Sequence, residues 1–176
     1  EQKAGIIKPK TAVVCAKQKK EAEKVIQDVC QKKDCHLKTV DTTRIREIHY
    51  GCEKQIFSYK HWKNVEITLV GSYQILNAAL ALEAVDMLRK LGYTLSDRQI
   101  YEGMKKTKWR GRFTLISKSP IVILDGAHNP AAAMELRESL NLYFKGKELH
   151  YIFGVFRDKD YERIISITAP LAKHII

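Results

Sequence analysis

A strand, a helix and a second strand follow one another near the start of the 176-residue chain, and this order limits the fold more than any other feature. The β-branched segment from Thr11 to Ala16 predicts a strand. From about Lys19 to Lys32, apolar residues recur every three or four positions, which predicts an amphipathic helix. Residues 37–40 predict the next strand. A strand–helix–strand order implies parallel pairing, so we expect an α/β fold.

The middle of the chain has a different pattern. From Arg44 to Val70, short apolar segments alternate with polar residues and turn residues such as Gly51, which predicts antiparallel strands. An alanine- and leucine-rich helix is predicted from about Ser72 to Leu91, with Gly92 as its stop. The sequence SDRQ at residues 96–99 matches a capping box, which predicts the start of a short helix.

A polar segment at residues 105–108 precedes a second α/β pattern. Its predicted elements are strands at residues 113–116, 121–124 and 149–155 and a helix at residues 131–143. We therefore expect two domains, which comprise residues 1–107 and residues 108–176.

Composition restricts the class of protein. The chain is 45% hydrophobic and 29% charged, as in globular proteins, and no apolar run approaches the roughly 20 residues that a bilayer span needs. None of the four cysteines forms a CxxC pair, which favours reduced thiols and a cytoplasmic protein. The net charge of +11 predicts an anionic ligand but does not choose between nucleotides, polyglutamate, nucleic acid and acidic membranes.

The segment IVILDGAHNP, residues 121–130, holds the most informative candidates. Asp125 follows a predicted buried strand, and ligands bind beyond the carboxyl ends of strands in open α/β sheets. Asp125 could accept hydrogen bonds from ribose hydroxyls, Gly126 permits close backbone approach, and His128 could donate to a phosphate. The Asn-Pro pair that follows is explained by structure alone, as an N-cap with proline at the first helical position.

Two further segments hold candidate contacts. Arg110 and Arg112 flank a glycine at the predicted domain junction, and a guanidinium group suits phosphate binding. An interdomain salt bridge explains the same two residues equally well. Asn77 lies about one turn inside the alanine-rich helix, where asparagine is not favoured, and its amide could bind the edge of a base.

Taken in order, these segments resemble the folylpolyglutamate synthase and dihydrofolate synthase family, relatives of the Mur ligases. The family's EKAGI(I/F)KPG, G-x-HQ-x-x-NA and PGRF segments are similar to residues 2–9, 71–78 and 110–113. Its DGAHNP segment is matched without change by residues 125–130, and residues 153–160 resemble its FG-x-x-x-DKD segment. The resemblance implies the end of a P-loop-type ATP-binding central domain, followed by a partial Rossmann-like C-terminal domain.

The resemblance also implies a set of site residues. Lys3 matches a family lysine that is carbamylated and helps hold the metal, and Asn77 matches the residue near adenine. Arg112 matches the phosphate-binding arginine. Asp125 and His128 match the ribose and phosphate contacts. On this basis the catalytic residues are Lys3, Arg112 and His128, and the ligands are ATP and Mg²⁺.

Four positions depart from the family pattern: Gln2, Tyr73, Arg110 and Thr114 stand where glutamate, histidine, proline and an acidic residue are usual. A glycine-rich P-loop of the GTNGKGS kind is absent from the sequence. We therefore expect the phosphate cradle and the other magnesium ligands to precede Glu1. The resemblance predicts a chain that is incomplete at both ends and that does not catalyse alone.

The activity implied by the resemblance is an ATP-dependent amide ligase that adds L-glutamate to the γ-carboxylate of a (tetrahydro)folate through an acyl phosphate. It implies a monomer with no nucleic-acid or membrane partner. Dihydrofolate synthase activity on dihydropteroate, alone or in a bifunctional enzyme, is the nearest alternative, and a Mur-type peptidoglycan ligase is more remote. A noncatalytic anion- or nucleic-acid-binding module would use the positive charge and exposed aromatics such as Trp62 and Trp109, although no nucleic-acid-binding motif is present.

Overall fold

A computed structural model describes residues 2–176. The strands are β1 (Ala12–Cys15), β2 (His36–Thr39), β3 (Ile45–His49), β4 (Gln55–Tyr59), β5 (Trp62–Ile67), β6 (Thr114–Lys118), β7 (Ile121–Leu124), β8 (Leu149–Tyr151) and β9 (Ala172–Ile175). The helices are α1 (Lys20–Lys32), α2 (Gln74–Lys90), α3 (Asp97–Lys106), α4 (Pro130–Tyr143) and α5 (Tyr161–Thr168). Short 3₁₀ helices cover Gln2–Ile6, Thr42–Arg44 and Ala169–Leu171.

The chain forms two compact units, each made of discontinuous segments. The first unit comprises residues up to Ile48, residues 57–65 and residues 76–104, and the second comprises residues 49–56, 66–75 and 105–176. The expected division into residues 1–107 and 108–176 stays a prediction. Across the described part of the chain, no helix combines the length and the apolar character that a bilayer crossing requires.

The predicted strand–helix–strand order is confirmed in the first unit. β1 and β2 pair in parallel, with Val13 opposite Leu37. The apolar stripe of α1 packs against these strands around Cys30, which is only 2% exposed. A thiol in this position contributes as a small apolar group. All four cysteines are free thiols.

The predicted antiparallel section is also confirmed. β3, β4 and β5 form a three-stranded sheet in that order. Only Lys60 and His61 connect β4 to β5, and a two-residue connection joins antiparallel strands because parallel strands need a long crossover. Phe57 and Tyr59 of β4 are completely buried, so one face of this strand belongs to the core of the unit.

Trp62 corrects one expectation from the sequence. It was expected to be exposed, but only 1% of its surface is accessible. Its indole N–H donates to Asp86 at 3.4 Å, and its ring makes an edge contact with Tyr101. A tryptophan on an alternating strand buries a large apolar area when the neighbouring helix supplies a partner for its N–H, and this favours the core over the surface.

Helix α2 carries a buried carboxylate, Glu83, which is 3% exposed. The Tyr59 hydroxyl donates to it at 2.5 Å, and the Lys60 ammonium group forms an ion pair with it. Burial alone would raise the pKa of Glu83, but the hydrogen bonds from Lys60 and Tyr59 outweigh burial and hold its pKa below the ordinary value. The two donors therefore make a charged residue tolerable in this core.

The predicted helix ends are confirmed. After α2, Gly92 adopts a left-handed φ of 92°, and its N–H donates to the Arg89 carbonyl at 3.0 Å. The capping box before α3 is present, since the Ser96 N–H donates to the Gln99 side chain at 2.9 Å and the Gln99 N–H donates back to the Ser96 hydroxyl at 3.3 Å. Both features follow from local sequence rules alone.

In the second unit, β6 and β7 form an antiparallel hairpin, with Thr114 opposite Leu124. This corrects the expectation that residues 121–124 form a buried strand of an open α/β sheet. The two strands are joined by Ser119 and Pro120, a connection too short for parallel pairing. Most of β7 is exposed, with Leu124 at 51%, because a two-stranded sheet covers little of its own surface.

The core of the second unit lies between this hairpin and α4. Val70, Phe113, Leu136 and Phe144 are each at most 7% exposed and pack together. Each contributes roughly 1.5–3 kcal/mol by burial. Further along, β8 and β9 are parallel strands connected through α5, which confirms an α/β end to the chain. β8 ends at Tyr151, earlier than the predicted residue 155.

Candidate functional site

The loop after β7 is hydrogen-bonded to the segment before β6. The Asp125 carboxylate accepts the backbone N–H of Phe113 at 2.7 Å and the backbone N–H of Ala127 at 2.8 Å. The Gly126 N–H donates to the Gly111 carbonyl at 2.8 Å. The bonds between Phe113 and Asp125 and between Gly126 and Gly111 hold the DGAHNP loop against the arginine-containing segment, within one compact unit, and the bond from Ala127 to Asp125 lies within the loop.

Phe113 anchors this arrangement in the core. Its φ is +47°, in the left-handed region that a residue with a side chain adopts at a cost of about 1–2 kcal/mol. The bond from its N–H to Asp125 and the burial of its ring, which is 2% exposed, hold it there. A strained backbone that surrounding contacts hold in place is typical of functional sites. Here the left-handed conformation of Phe113 places the preceding residue, Arg112, beside the loop.

Arg112 and His128 converge on the same atom, the carbonyl oxygen of Gly126. Arg112 Nη1 lies 3.5 Å from it and His128 Nδ1 lies 2.8 Å from it. Because a carbonyl oxygen only accepts hydrogen bonds, Nδ1 of His128 carries its hydrogen. Nε2 is then the ring atom left for a ligand, and it donates only when the imidazole is protonated.

The role of Gly126 is steric. A Cβ at this position would lie 3.1 Å from the Gly111 carbonyl oxygen and 3.3 Å from Arg112 Nη1. As predicted, the absence of a side chain at Gly126 permits close approach to its backbone, and the groups that approach belong to the protein itself.

Asp125 was predicted to contact a ribose. Each of its oxygens already accepts one backbone N–H, and each retains a second lone pair. The geometry therefore establishes a structural role for Asp125, and the ribose contact stays a prediction.

Two further side chains lie at this loop, and no sequence pattern groups them with it. Tyr73 lies beside Asp125 and Arg112, and burial together with the Asp125 carboxylate raises the pKa of Tyr73 to about 12, so its hydroxyl is neutral at physiological pH. The Thr114 hydroxyl accepts the Gly111 N–H at 3.0 Å. Both residues had been noted only as departures from a family pattern, and no periodicity signals their positions.

A cavity of about 490 Å³ lies along the same segment. It is lined by Lys108, Arg110, Arg112 and neighbouring residues up to Lys118, whose ammonium group pairs with Glu53 at 2.7 Å. Trp109, which is 68% exposed, also lines it. Its volume is that of a small-molecule site, and its lining combines cations with an aromatic face, which suits an anionic ligand that carries a ring.

The other two predicted site residues belong to the first unit. Lys3 is exposed on the 3₁₀ helix Gln2–Ile6, and Asn77 is exposed in the first turn of α2. Their roles stay predictions. Residues 2–176 contain no group of three or more His, Cys, Asp or Glu side chains placed to hold a metal ion.

Comparison with known proteins finds a domain family and several relatives. Residues 111–176 match the family described as Mur ligase, glutamate ligase domain. The chain is 29% identical to the dihydrofolate synthase/folylpolyglutamate synthase of Bacillus subtilis, over 99% of its own length and 42% of that protein.

Solved structures agree. The crystal structure of a folylpolyglutamate synthase from Thermotoga maritima matches with a TM-score of 0.80 and 34% identity, over 99% of this chain and 42% of that one. A folylpolyglutamate synthase in complex with AMPPCP and folate matches with a TM-score of 0.88 and 25% identity, over 98% of this chain and 43% of that one. The chain thus spans about two fifths of the length of these relatives. Residues 111–176 thus match a Mur ligase domain, and the whole chain, with its α/β fold and DGAHNP loop, is similar to folylpolyglutamate synthases and dihydrofolate synthases.

Proposed function

We propose that the intact protein containing this chain is an ATP-dependent ligase that joins L-glutamate to the γ-carboxylate of a folate. The observation that carries the proposal is the convergence of Arg112 and His128 on the Gly126 carbonyl. This arrangement lies in a chain similar, over nearly its whole length, to a synthase solved with an ATP analogue and folate. A cationic group and an imidazole presented together suit the binding of a phosphate.

The chemistry requires activation of a carboxylate, which is a poor electrophile. Transfer of the γ-phosphoryl group of ATP to the folate carboxylate gives an acyl phosphate and ADP. The amine of glutamate then attacks the acyl carbon, phosphate leaves, the amine loses a proton, and an amide bond results. In this scheme the Arg112 guanidinium offsets charge on the transferring phosphoryl oxygens. Protonated His128 donates to a phosphate oxygen through Nε2.

ATP is thus a substrate of the proposed reaction. A Mg²⁺ ion and a carbamylated Lys3 complete the prediction from the family resemblance, but no step assigned here to Arg112 or His128 depends on them. A monomer in the reducing cytoplasm, with no nucleic-acid or membrane partner, is also part of the proposal, and the four free thiols support the reducing compartment.

The test is ADP release by the intact gene product with ATP, magnesium, glutamate and tetrahydrofolate, each omitted in turn. We expect release that needs both glutamate and folate. Arg112→Ala is expected to lower turnover by about 10²-fold or more, as the loss of one key charge-stabilising donor does. Arg98→Ala, which removes an exposed arginine of α3, is the matched control and should keep normal turnover. Near-normal turnover of Arg112→Ala would remove this residue from the site.

A second candidate activity is dihydrofolate synthesis, because the Bacillus subtilis relative is named for both activities. Replacing tetrahydrofolate with dihydropteroate in the same assay tests it directly. The noncatalytic nucleic-acid-binding alternative would use exposed aromatic residues such as Trp62 and Trp109, but Trp62 is buried. Steep salt dependence of DNA binding would restore that alternative.

A further inference from the structure

A second cavity, in the first compact unit, is lined almost entirely by cations. Its volume is about 290 Å³, and the residues that line it are Arg44, Arg46, Ser58, Lys60 and Lys63. They come from the end of the 3₁₀ helix Thr42–Arg44, from β3, from β4, from the turn after β4 and from β5. The ligase reaction proposed above assigns no role to any of them.

Two carboxylates already engage the lining of this cavity. The Ser58 hydroxyl donates to Glu47, and it accepts the Asn64 N–H at 3.2 Å. Lys60 pairs with the buried Glu83. Ser58 and Lys60 are therefore held in place by the protein, with their hydrogen-bonding capacity largely used.

A third carboxylate, Asp41, lies near Arg44, and its pKa is lowered by the hydrogen bond from Thr43 and by the charges of Arg44 and Lys60. Within residues 2–176, the side chains of Arg44, Arg46 and Lys63 form no salt bridge. Four cations against three carboxylates, Asp41, Glu47 and Glu83, leave a formal charge of +1 at this cavity. Arg44, Arg46 and Lys63 are exposed, so their charged groups are open to a ligand from solvent. A bound anion would offset the excess positive charge of the cluster.

The backbone around the cavity is also unusual. Glu47, Lys60 and Asn64 have φ values of 53°, 53° and 51°, in the left-handed region that residues with side chains rarely adopt. All three lie in or directly beside the strands that supply the cations. Unfavourable backbone and excess positive charge thus occur together on one small sheet, and such a combination is typical of a binding site.

We propose that this cavity binds a multiply charged oxyanion, either a chain of carboxylates or a phosphate. Two guanidinium groups offer paired N–H donors that match the oxygen pairs of both ligand types. A multiply charged anion would offset the positive charge of this site. The proposal does not rest on the ligase function; if that function holds, the glutamyl chain of a folate is the carboxylate ligand expected there.

The experiment is calorimetric titration of the intact protein with tri-γ-glutamate and, separately, with pyrophosphate. The test variant is Arg44→Gln/Arg46→Gln. The control, Arg98→Gln/Arg163→Gln, removes two exposed arginines far along the sequence from this cavity and leaves the net charge equal to that of the test variant. We expect saturable binding that the test variant weakens at least about tenfold, since each charge-assisted hydrogen bond contributes about a tenfold factor or more, and that the control leaves within about twofold.

An Arg112→Gln protein separates this site from the proposed active site, because binding at the second cavity should survive that change. Binding of tri-γ-glutamate alone identifies a carboxylate ligand, and binding of pyrophosphate alone identifies a phosphate ligand; both support the site. If the double variant does not fold, as judged by circular dichroism, Lys63→Gln replaces it, with an expected weakening of about threefold. Absence of saturable binding for both probes, or equal weakening in test and control variants, would overturn the proposal.

Discussion

Replacement of Asp125 tests whether the DGAHNP loop is held in place by its own acid. The carboxylate accepts the N–H of Phe113 at 2.7 Å and that of Ala127 at 2.8 Å. Asp125→Asn keeps one acceptor oxygen but turns an amide donor towards one of the two N–H groups. Asp125→Ala removes both acceptors and leaves both N–H groups without their partner.

The expected magnitude follows from these contacts. A hydrogen bond to a charged acceptor contributes about 1.5–3 kcal/mol. Phe113 is 2% exposed, so water cannot easily replace the lost acceptor there, whereas Ala127 is only partly buried and water can reach its N–H. We therefore expect Asp125→Ala to lower the free energy of unfolding by about 2–4 kcal/mol and Asp125→Asn by about 1–2 kcal/mol. At roughly 2–4 °C per kcal/mol for a chain of this size, Asp125→Ala should unfold about 4–16 °C lower.

Urea unfolding followed by circular dichroism measures this difference, and thermal unfolding checks it. Asp28→Asn, on the exposed side of α1, is the charge-matched control and should change stability by no more than about 0.5 kcal/mol. If Asp125→Ala is as stable as the control, the two backbone bonds do not hold the loop, and the structural role assigned to Asp125 is wrong. Loss of AMPPCP binding with unchanged stability would instead make Asp125 a ligand contact.

Two further changes test the core and the loop. Glu83→Gln should lower the free energy of unfolding at pH 7 by about 1–3 kcal/mol. This is less than the usual cost of leaving a buried charge unpaired, because Lys60 can turn towards water. The folded pKa of Glu83 is below its ordinary value of 4.5, so its stabilisation is present above that pH and disappears as pH falls through the folded pKa; unfolding curves of variant and wild type should converge in that acid range. Gly126→Ala places a Cβ 3.1 Å from the Gly111 carbonyl oxygen and should destabilise by about 1–3 kcal/mol in a denaturant titration. Gly154→Ala, whose Cβ would meet no atom within 4 Å, is its control, and equal stability of the two variants would contradict the steric argument.

Local rules were sufficient for much of the first unit. The parallel pairing of β1 and β2 followed from a strand–helix–strand order, and the capping box at Ser96 and the stop at Gly92 followed from residue chemistry within one turn. Such signals depend on neighbours in sequence, so a single sequence contains them. The N-cap at Asn129 belongs to the same class, because its side chain accepts the Ala132 N–H at 2.9 Å.

The DGAHNP loop follows a strand and precedes a helix, as predicted, but the strand itself differs from the expectation. Asp125 is predicted to lie beyond a buried strand of an open α/β sheet, but β7 is an exposed strand of a hairpin. The position survives because Asp125 lies between a strand and a capped helix in either topology. What the sequence could not show is the partner of the loop: the bond from Phe113 to Asp125 joins residues twelve positions apart through a left-handed backbone that no propensity predicts.

The cationic cavity of the first unit also depends on contacts between segments that are apart in the sequence. In the sequence, the basic residues look scattered, and the pair Arg44 and Arg46 is separated by more than a dozen residues from the pair Lys60 and Lys63. The sheet order β3-β4-β5 brings them to one cavity, because neighbouring strands lie only about 5 Å apart. Which residues then share a face depends on register and on the turns between strands. Net charge therefore indicated an anionic ligand, while the position of the cluster depended on strand pairing that charge counting along the chain cannot reveal.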